Sequence, residues 1–425
     1  MSRKQKPGRV ILSALALCLF VSIPASHSIP GKTTFATWPP QSSGTVYYVS
    51  PTGSDSNPGS ERRPFRTLQK AANAVKPGDT VIAEDGVYTY AGSEKPCSRA
   101  RAIVCLTRGG TSRNWVVFKS RNRWGAKLDG ENNTATDGFS FRDGADYIRI
   151  EGFDIFGMGN DGSAHGIDIY GGGHDVQIVG NRIHSIGRLC TDTSNGNSGI
   201  LIKRNNVTVE ENLFHDIGRY APGENGCNPR TGSYANHDHG VYIDGNSPDP
   251  GNAANGAVIA NNVFYNVNRG WPIHIYPGTL RNISILNNTF ATPNPYREGH
   301  IVISGVYLSN SRIENNISFQ PTTSMIRFGS KVTINNTVVS NNLISVGLVT
   351  NALPPPGMTV TGNLAGVDPL FVNPAVFDFH LRPTSPAIDR GLTLREVLRD
   401  FEARPRPQGP AYDIGAYEAP ASRPQ

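Results

Sequence analysis

The sequence predicts an all-β fold, a solenoid in which short strands stack coil upon coil. Composition is the first observation: 46 of the 425 residues are glycine and 31 are proline, whereas only 17% are charged. Many turn formers and few helix formers favour β structure. The second observation is an internal repeat. Three segments align without gaps, namely NRIHSIGR (181–188), NLFHDIGR (212–219) and NVFYNVNR (262–269). Self-similarity over 20–50 residues is typical of solenoids.

Each repeat unit is built from strands. Apolar residues alternate with a period of two just before the aligned segments, as at 176–178 and 207–209. A second short strand precedes each unit, namely HGIDIYG (165–171), SGILIKR (198–204) and HGVYIDG (239–245). One strand cannot bury its apolar face alone, so the coils must stack around a continuous interior of Ile, Val and Phe.

An asparagine recurs at the same bend of each coil. We expect its amide to bind the backbone of neighbouring coils, as a structural ladder rather than as glycosylation sites. The members are Asn181, Asn212, Asn262, Asn288, Asn316 and Asn342.

The two ends of the chain have different patterns. Basic residues at 3–9, an apolar run at 10–23 and small residues at 25–28 indicate a secretory signal peptide. We expect residues 1–28 as the signal peptide, 29–44 as a linker, 45–365 as the solenoid and 366–425 as a C-terminal capping segment. No later stretch is apolar enough to span a membrane. The exported protein would carry a net charge of only +2, which does not argue for nucleic acid as a binding partner. We expect a monomer.

Two shorter patterns concern the ends of the solenoid and its cysteines. Phe65, Leu68, Ala71, Ala72 and Val75 share one face of a short helix that would cap the N-terminal end, and the Pro-rich C-terminal stretch would cover the other end. For the four cysteines that remain after export we predict the disulfides 97–105 and 190–227, as suits an oxidising compartment. Spacing alone does not fix the pairing. A zinc site is the alternative, disfavoured because no C-x-x-C pair is present.

Two longer segments resemble a known superfamily. The segment from YYVSPTGSDSNPGS (47–60) to AEDGVYTY (83–90) resembles the opening of secreted right-handed parallel β-helix proteins of the pectate-lyase-like superfamily. LRPTSPAIDRG (381–391) and YDIGAYE (412–418) resemble the C-terminal segment of exported bacterial repeat proteins. The resemblance implies a right-handed parallel β-helix and chemistry on uronate polysaccharides.

Stacking the second-strand copies divides their residues into inward and outward rows. Inward rows start at Ile167 and Ile169 and repeat in each later coil. One outward row reads Asp168, Leu201, Tyr242, His274, Val302, and the next reads Tyr170, Lys203, Asp244, Tyr276, Ser304. The loops 189–197 and 220–238 flank this face and would be joined by the 190–227 disulfide, so a groove suited to an extended polymer is expected.

For uronate chemistry such a groove needs a base for the C5 proton and a cation for the carboxylate. Lys203, His239 and His274 are the candidate bases, and Tyr242 the candidate acid. Candidate substrate-binding residues are Arg204, Arg219, His237, Tyr170, Tyr276 and Asp168. A Ca²⁺ ion held by Asp238 and Asp244 is a further source of positive charge.

Each candidate has a structural alternative. Lys203 with Asp244 can form a plain surface ion pair. Arg219 recurs in the repeat with Arg188 and Arg269, which favours a structural role. His184 and His215 share a repeat position and are expected to pack on each other or on Tyr265.

The leading hypothesis is a secreted lyase that cleaves an extended acidic polysaccharide by β-elimination. A non-catalytic carbohydrate-binding or cell-surface β-helix protein is the alternative from another class. A C5-epimerase and a glycoside hydrolase are further alternatives.

Overall fold

The computed structural model describes residues 44–92, 97, 101–159, 163–190, 195–220, 223–228, 237–246, 253–267, 269–292, 295, 298–349 and 354–420. The expected signal peptide at 1–28 lies outside these residues, as does the expected linker apart from residue 44. The described chain forms a right-handed parallel β-helix, which confirms the predicted fold class.

Three parallel sheets run the length of the solenoid, and a coil passes through sheet 1, then sheet 2, then sheet 3. The main strands of sheet 1 are Ala102–Leu106, Asp137–Phe141, His165–Ile169, Ser198–Ile202, His239–Gly245, Ile273–Arg281, Ile301–Ile303, Ser324–Phe328 and Gly347–Val349, with Val306–Ser309 and Thr333–Asn335 paired alongside. Sheet 2 consists of Val46–Val49, Thr80–Ala83, Val116–Ser120, Ile148–Glu151, Val176–Val179, Val207–Glu210, Val258–Ala260, Ser284–Leu286, Arg312–Glu314, Thr337–Ser340 and Met358–Thr361. Sheet 3 consists of Gly86–Tyr88, Ala126–Asp129, Asp154–Phe156, Arg182–His184, Leu213–Ile217, Val263–Val267, Thr289–Phe290, Ile317–Ser318, Leu343–Ile344 and Leu364–Ala365.

Parallel pairing places equivalent positions of successive coils directly over one another. Ile167 pairs with Ile200, and the same row continues through Val241, Ile273 and Ile301. All five side chains are fully buried. The inward rows predicted from the repeat are therefore confirmed, and they form the core of the solenoid.

A file of glycines lets the coils approach closely at the start of the sheet 1 strands. A β-carbon at Gly166 would lie 2.7 Å from the carbonyl oxygen of Gly199, and one at Gly199 would lie 2.6 Å from that of Gly240. Any larger residue would push neighbouring coils apart. This contact explains why the three second-strand copies share a glycine at their second position.

The asparagine ladder is confirmed at atomic detail. The backbone N–H of Asn212 donates to Asn262 Oδ1 at 2.9 Å, and its side-chain amide donates to the same oxygen at 3.0 Å. The amide also donates to the carbonyl of Ile178 in the preceding coil at 2.9 Å. The same contacts repeat from Asn181 to Asn342, so each of these members joins three coils, and Asn363 ends the ladder.

The short helix is Leu68–Ala74, begun by Thr67, whose hydroxyl accepts the N–H of Lys70 at 3.1 Å. Its apolar face is buried as predicted. Gln69 exchanges two hydrogen bonds with the backbone of Cys105 in the first strand of sheet 1, at 2.7 and 3.0 Å. The helix therefore caps this end. Across the described ranges, no helix has the length and apolar character to cross a membrane.

The C-terminal segment differs from the expectation that it covers the far end of the solenoid. Its residues pack on the outer faces of sheets 2 and 3, with Phe371 and Phe379 near Ile317 and Leu343, and Leu394 near the Val258 region. A second row of asparagines, one residue before the ladder, binds this segment: Asn287 donates to Gly415 O at 3.2 Å, and Asn261 accepts from Arg406 at 2.9 Å. These outward amides and apolar side chains hold the segment along the side, and in the described part of the chain it leaves the outer face of sheet 1 uncovered.

The ladder predicts how stability depends on position within it. Asn262→Ala should lower the free energy of unfolding by about 3 kcal/mol or more, because it strands the buried N–H and amide of Asn212 and removes two donated bonds. Urea denaturation followed by circular dichroism measures the change. Asn363→Ala is the matched control: Asn363 ends the ladder and is half-buried, so a clearly smaller loss is expected. Equal losses would contradict a cooperative ladder.

Candidate active site

A groove lies on the outer face of sheet 1, in the region that the sequence rows predict. The row Asp168, Leu201, Tyr242, His274, Val302 is confirmed by the strand pairing and continues to Arg327. The groove has a volume of 540 Å³. Residues lining it include His165, Tyr170, Ser198, His237, His239, Tyr242, Asp244, Trp271, His274, Tyr276 and Arg327.

A buried ion pair supports the lip of the groove, directly before the strand His239–Gly245. Arg219 Nε donates to Asp238 Oδ2 at 2.7 Å, and both side chains have no exposed surface. Asp238 Oδ1 also accepts the backbone N–H and the amide of Asn197 at 2.9 and 3.1 Å. Asn197 in turn accepts the N–H of Ala164, so the pair joins three successive coils.

This burial corrects two predictions. Arg219 cannot contact substrate, because its guanidinium is enclosed with Asp238, and the structural alternative holds. Asp238 cannot offer an oxygen to Ca²⁺ in the groove, because both of its oxygens are bound within the protein. Asp244 also binds protein groups, accepting from Asn246 N at 2.7 Å and pairing with Lys203. Among the described residues, no group of three His, Cys, Asp or Glu is placed to hold a metal ion.

Two disulfides are present as predicted, Cys97–Cys105 and Cys190–Cys227, so the zinc alternative for these cysteines is wrong. The second disulfide joins the two loops that flank the groove. Glu224 strengthens this wall, since it lies 3.1 Å from Arg188 and 3.5 Å from Arg269. Parts of these loops, at 191–194 and 229–236, lie outside the described residues.

Lys203 and Asp244 lie together at the edge of the groove. Lys203 Nζ is 3.2 Å from Asp244 Oδ2 and 4.4 Å from the centre of the Tyr170 ring, which are the contacts of a cation. Burial raises the pKa of Asp244, and the hydrogen bond from Asn246 and the Lys203 charge oppose that rise. The plain ion pair expected as the structural alternative for Lys203 is therefore present.

Four further predicted residues lie at the periphery. Arg204 is half-buried at the corner after Lys203 and donates to the carbonyl of that residue at 3.3 Å, outside the groove lining. Asp168 is buried and accepts from Ser140, Arg142 and the Tyr170 backbone, so it supports the floor without facing it. Tyr170 and Tyr276 are open, with 52% and 40% of their surface exposed.

Four aromatic side chains pack together at the centre of the groove. The His239 ring lies between Tyr242 and Trp271, at centroid distances of 5.4 and 5.6 Å and nearly parallel to both. His274 meets His239 at 4.6 Å and Tyr242 at 5.3 Å. Burial lowers the pKa of His239 and lowers that of His274 to about 3, so both are neutral at pH 7. Burial raises the pKa of Tyr242, so its hydroxyl keeps its proton.

The hydrogen bonds of His239 correct its assignment as a base. Its Nδ1 accepts the backbone N–H of Trp271 at 3.3 Å, and its Nε2 lies 3.2 Å from His274 Nδ1. Both ring nitrogens are occupied and only 5% of the residue is exposed. His237, by contrast, is exposed at the lip, and partial desolvation of its ring together with the Arg219 charge lowers its pKa.

His184 and His215 lie on the outer face of sheet 3, away from the groove. Their rings stack at 4.6 Å, and His215 stacks on Tyr265 at 4.9 Å, which confirms the expected packing. Sequence reasoning missed Trp271 and Arg327. The repeat pattern could have revealed both. Trp271 lies two residues before Ile273, just as His239 lies two residues before the equivalent Val241, and Arg327 extends the outward row by one coil.

With the geometry in place, comparison with known proteins identifies the family. A family model described as "Pel9A-like, right handed beta helix region" matches residues 47–274, more than half of the chain. The chain belongs to this family. The resemblance to the pectate-lyase-like superfamily is thereby confirmed.

Solved structures share the fold of this Pel9A-like protein at low identity. The crystal structure of pectate lyase Pel9A is 16% identical, with a TM-score of 0.55, over 88% of this chain and 96% of the other. A structure titled glycoside hydrolase is 11% identical, with a TM-score of 0.51, over 76% and 97%. At such identities the likeness shows the fold alone. "Uncharacterized protein YwoF" of Bacillus subtilis is 46% identical over 48 residues, and the match spans 11% of this chain and 10% of that protein.

The buried pair at the lip can be tested by its effect on stability. Asp238→Asn keeps the shape but leaves the Arg219 charge buried without a counter-charge, which should cost about 3–5 kcal/mol in the free energy of unfolding. Chemical denaturation measures the loss. Glu61→Gln, which removes the negative charge from the exposed contact with Arg121, serves as control and should have a much smaller effect. An unchanged stability in Asp238→Asn would show that the pair is not a structural clamp.

The neutral His274 predicts a dependence of stability on pH. The pKa of His274 is about 3 in the folded protein and 6.5 in the unfolded chain. Its contribution to the free energy of unfolding is therefore complete above pH 6.5 and is lost as the pH falls towards 3. Between pH 7 and pH 4 the wild type should lose up to about 3 kcal/mol more than His274→Gln. Denaturation curves at several pH values measure this difference, and parallel pH profiles for the two proteins would contradict it.

Proposed function

We propose that this Pel9A-like protein is a secreted lyase that cleaves an extended uronate polysaccharide by β-elimination in the groove of sheet 1. The observation that carries the proposal is that Tyr242 and His274 pack side by side in the groove lining, which also contains Arg327 and Asp244, the ion-pair partner of Lys203. Membership of the family and the two disulfides, which suit an exported protein, add support.

The dimensions of the groove suit a polymer that lies along the solenoid axis. Its lining residues come from six successive coils, from His165 to Arg327. At about 4.8 Å per coil the floor is roughly 24 Å long, enough for several sugar units. Because each coil adds one row of side chains, each sugar would meet its own set of contacts.

Binding would combine stacking with charge. Tyr170 and Tyr276 are exposed rings at the edge of the groove, suited to the apolar faces of sugars. Lys203 and Arg327 are the cations that would meet uronate carboxylates. Each already has a carboxylate partner, Asp244 at 3.2 Å and Glu298 at 3.3 Å, so a substrate carboxylate would join or replace an existing ion pair.

The elimination step can be assigned to two side chains. His237 is a neutral imidazole at the lip without a hydrogen-bond partner in the described ranges, and it would remove the C5 proton of a uronate linked through O4. The C–H electrons form the C4=C5 double bond, the C4–O4 bond breaks, and Tyr242 donates its proton to the leaving O4. Proton exchange with water then restores both groups.

The acid role predicts the phenotype of Tyr242→Phe. The ring and its packing against His239 stay, but the proton donor is lost, so kcat should fall by about 10²–10⁴-fold with KM little changed. Ultraviolet absorbance of the unsaturated product, with pectate, alginate and glycosaminoglycans as substrates, measures the rate. Tyr307→Phe removes a hydroxyl outside the groove and should retain activity. Equal activity of both variants would remove Tyr242 from the chemistry.

A non-catalytic carbohydrate-binding protein is the second candidate, favoured by the exposed rings of Tyr170 and Tyr276. Tight binding on a glycan array, without product from any uronate polymer, would establish this function and overturn the lyase. Reducing ends without ultraviolet absorbance would indicate a glycoside hydrolase. Altered C5 stereochemistry seen by NMR of an intact polymer would indicate an epimerase.

A further inference from the structure

A chain of hydrogen bonds leads from the backbone to the centre of the groove. The N–H of Trp271 lies 3.3 Å from Nδ1 of His239, and Nε2 of His239 lies 3.2 Å from Nδ1 of His274. The remaining nitrogen, His274 Nε2, has no hydrogen-bond partner within the described residues, and His274 lines the groove.

The direction of this chain follows from its first member. A backbone N–H can only donate, so His239 Nδ1 must accept, and the single N–H of a neutral imidazole then sits on Nε2. That N–H points at His274 Nδ1, which must accept in turn. His274 therefore carries its own proton on Nε2, the nitrogen left for the groove.

We propose that His239 is a positioning residue that holds His274 as the Nε2–H tautomer, so that His274 donates a hydrogen bond to a carboxylate oxygen of the substrate. This inference rests on the proposed function and deepens it. It replaces the sequence-based assignment of His274 as a base, because a nitrogen that carries a proton cannot remove another.

The surrounding residues hold the relay in place. A β-carbon at Gly270 would lie 1.6 Å from the carbonyl oxygen of Asp238 and 2.8 Å from His239 Nδ1, so only glycine lets the Trp271 backbone reach the ring. Tyr242 and Trp271 pack on the two sides of His239 with interplanar angles of 14° and 7°. These stacking contacts hold the ring plane in line with its hydrogen-bond partners, Trp271 N–H and His274 Nδ1.

The relay suits the chemistry of the groove. When the C5 proton leaves, negative charge spreads onto the uronate carboxylate, and a fixed donor aimed at that oxygen stabilises it. Burial keeps both histidines neutral, so the donor is present without a second cation beside Lys203 and Arg327. A base at His237 and a donor at His274 would then act on different atoms of one sugar.

Two substitutions separate the relay from simple packing. His239→Phe keeps a flat ring between Tyr242 and Trp271 but has no nitrogen. His239→Gln has an oxygen to accept from Trp271 and an amide to donate to His274. Protein labelled with ¹⁵N-histidine, with the His274 signals assigned through His274→Gln, reports the tautomer directly by NMR. Thermal denaturation checks that each variant is folded.

Wild type should show His274 only as the Nε2–H tautomer, and His239→Phe should lose this fixed state. The variant kcat on the uronate polymer should fall by about 10- to 100-fold with KM little changed, and His239→Gln should recover most of it. An Nδ1–H tautomer in wild type would overturn the inference, as would unchanged tautomer and kcat in His239→Phe. The wild-type spectrum decides the relay even if the variants do not fold. If no uronate polymer is cleaved, the proposed function fails, and the tautomer still tests the relay separately.

Discussion

A continuous file of buried asparagines sets the register on which the rest of this protein depends. Polar amides inside an apolar solenoid are costly unless every donor and acceptor is used. Here each amide binds the next asparagine and the backbone of the preceding coil, so a coil shifted by one residue would leave several groups unpaired. Register is therefore specified strongly, and the outward rows of sheet 1 inherit that order.

A second row of asparagines, which point outward, determines which sheet the C-terminal segment leaves uncovered. The asparagines one position earlier adopt left-handed backbone conformations and direct their amides to the C-terminal segment. That segment covers sheets 2 and 3 in the later coils with its own apolar residues. Sheet 1 stays open there, flanked by loops that a disulfide and the buried Arg219–Asp238 pair hold in place. The position of the groove thus follows from what the other two faces are used for.

At the centre of the groove, burial keeps the polar side chains neutral. His239 and His274 are unprotonated and Tyr242 is protonated, because the rings pack on one another and exclude water. The charged residues stand at the edges, each with an oppositely charged partner. Such an arrangement favours donors of fixed direction over a strong local field.

The repeat pattern by itself determined the coils, the inward rows, the asparagine ladder and the meeting of Lys203 with Asp244. A solenoid repeats the same local geometry in every coil, so residues at equivalent positions must become neighbours. The non-repeating segments behave differently. Nothing in the spacing of Arg219 and Asp238 shows that they are buried together, and nothing near His239 shows that the Trp271 backbone occupies its Nδ1. The C-terminal segment could also have covered the end of the solenoid. Only the tertiary structure decided these points, because the path of a loop depends on contacts between distant residues that no local pattern records.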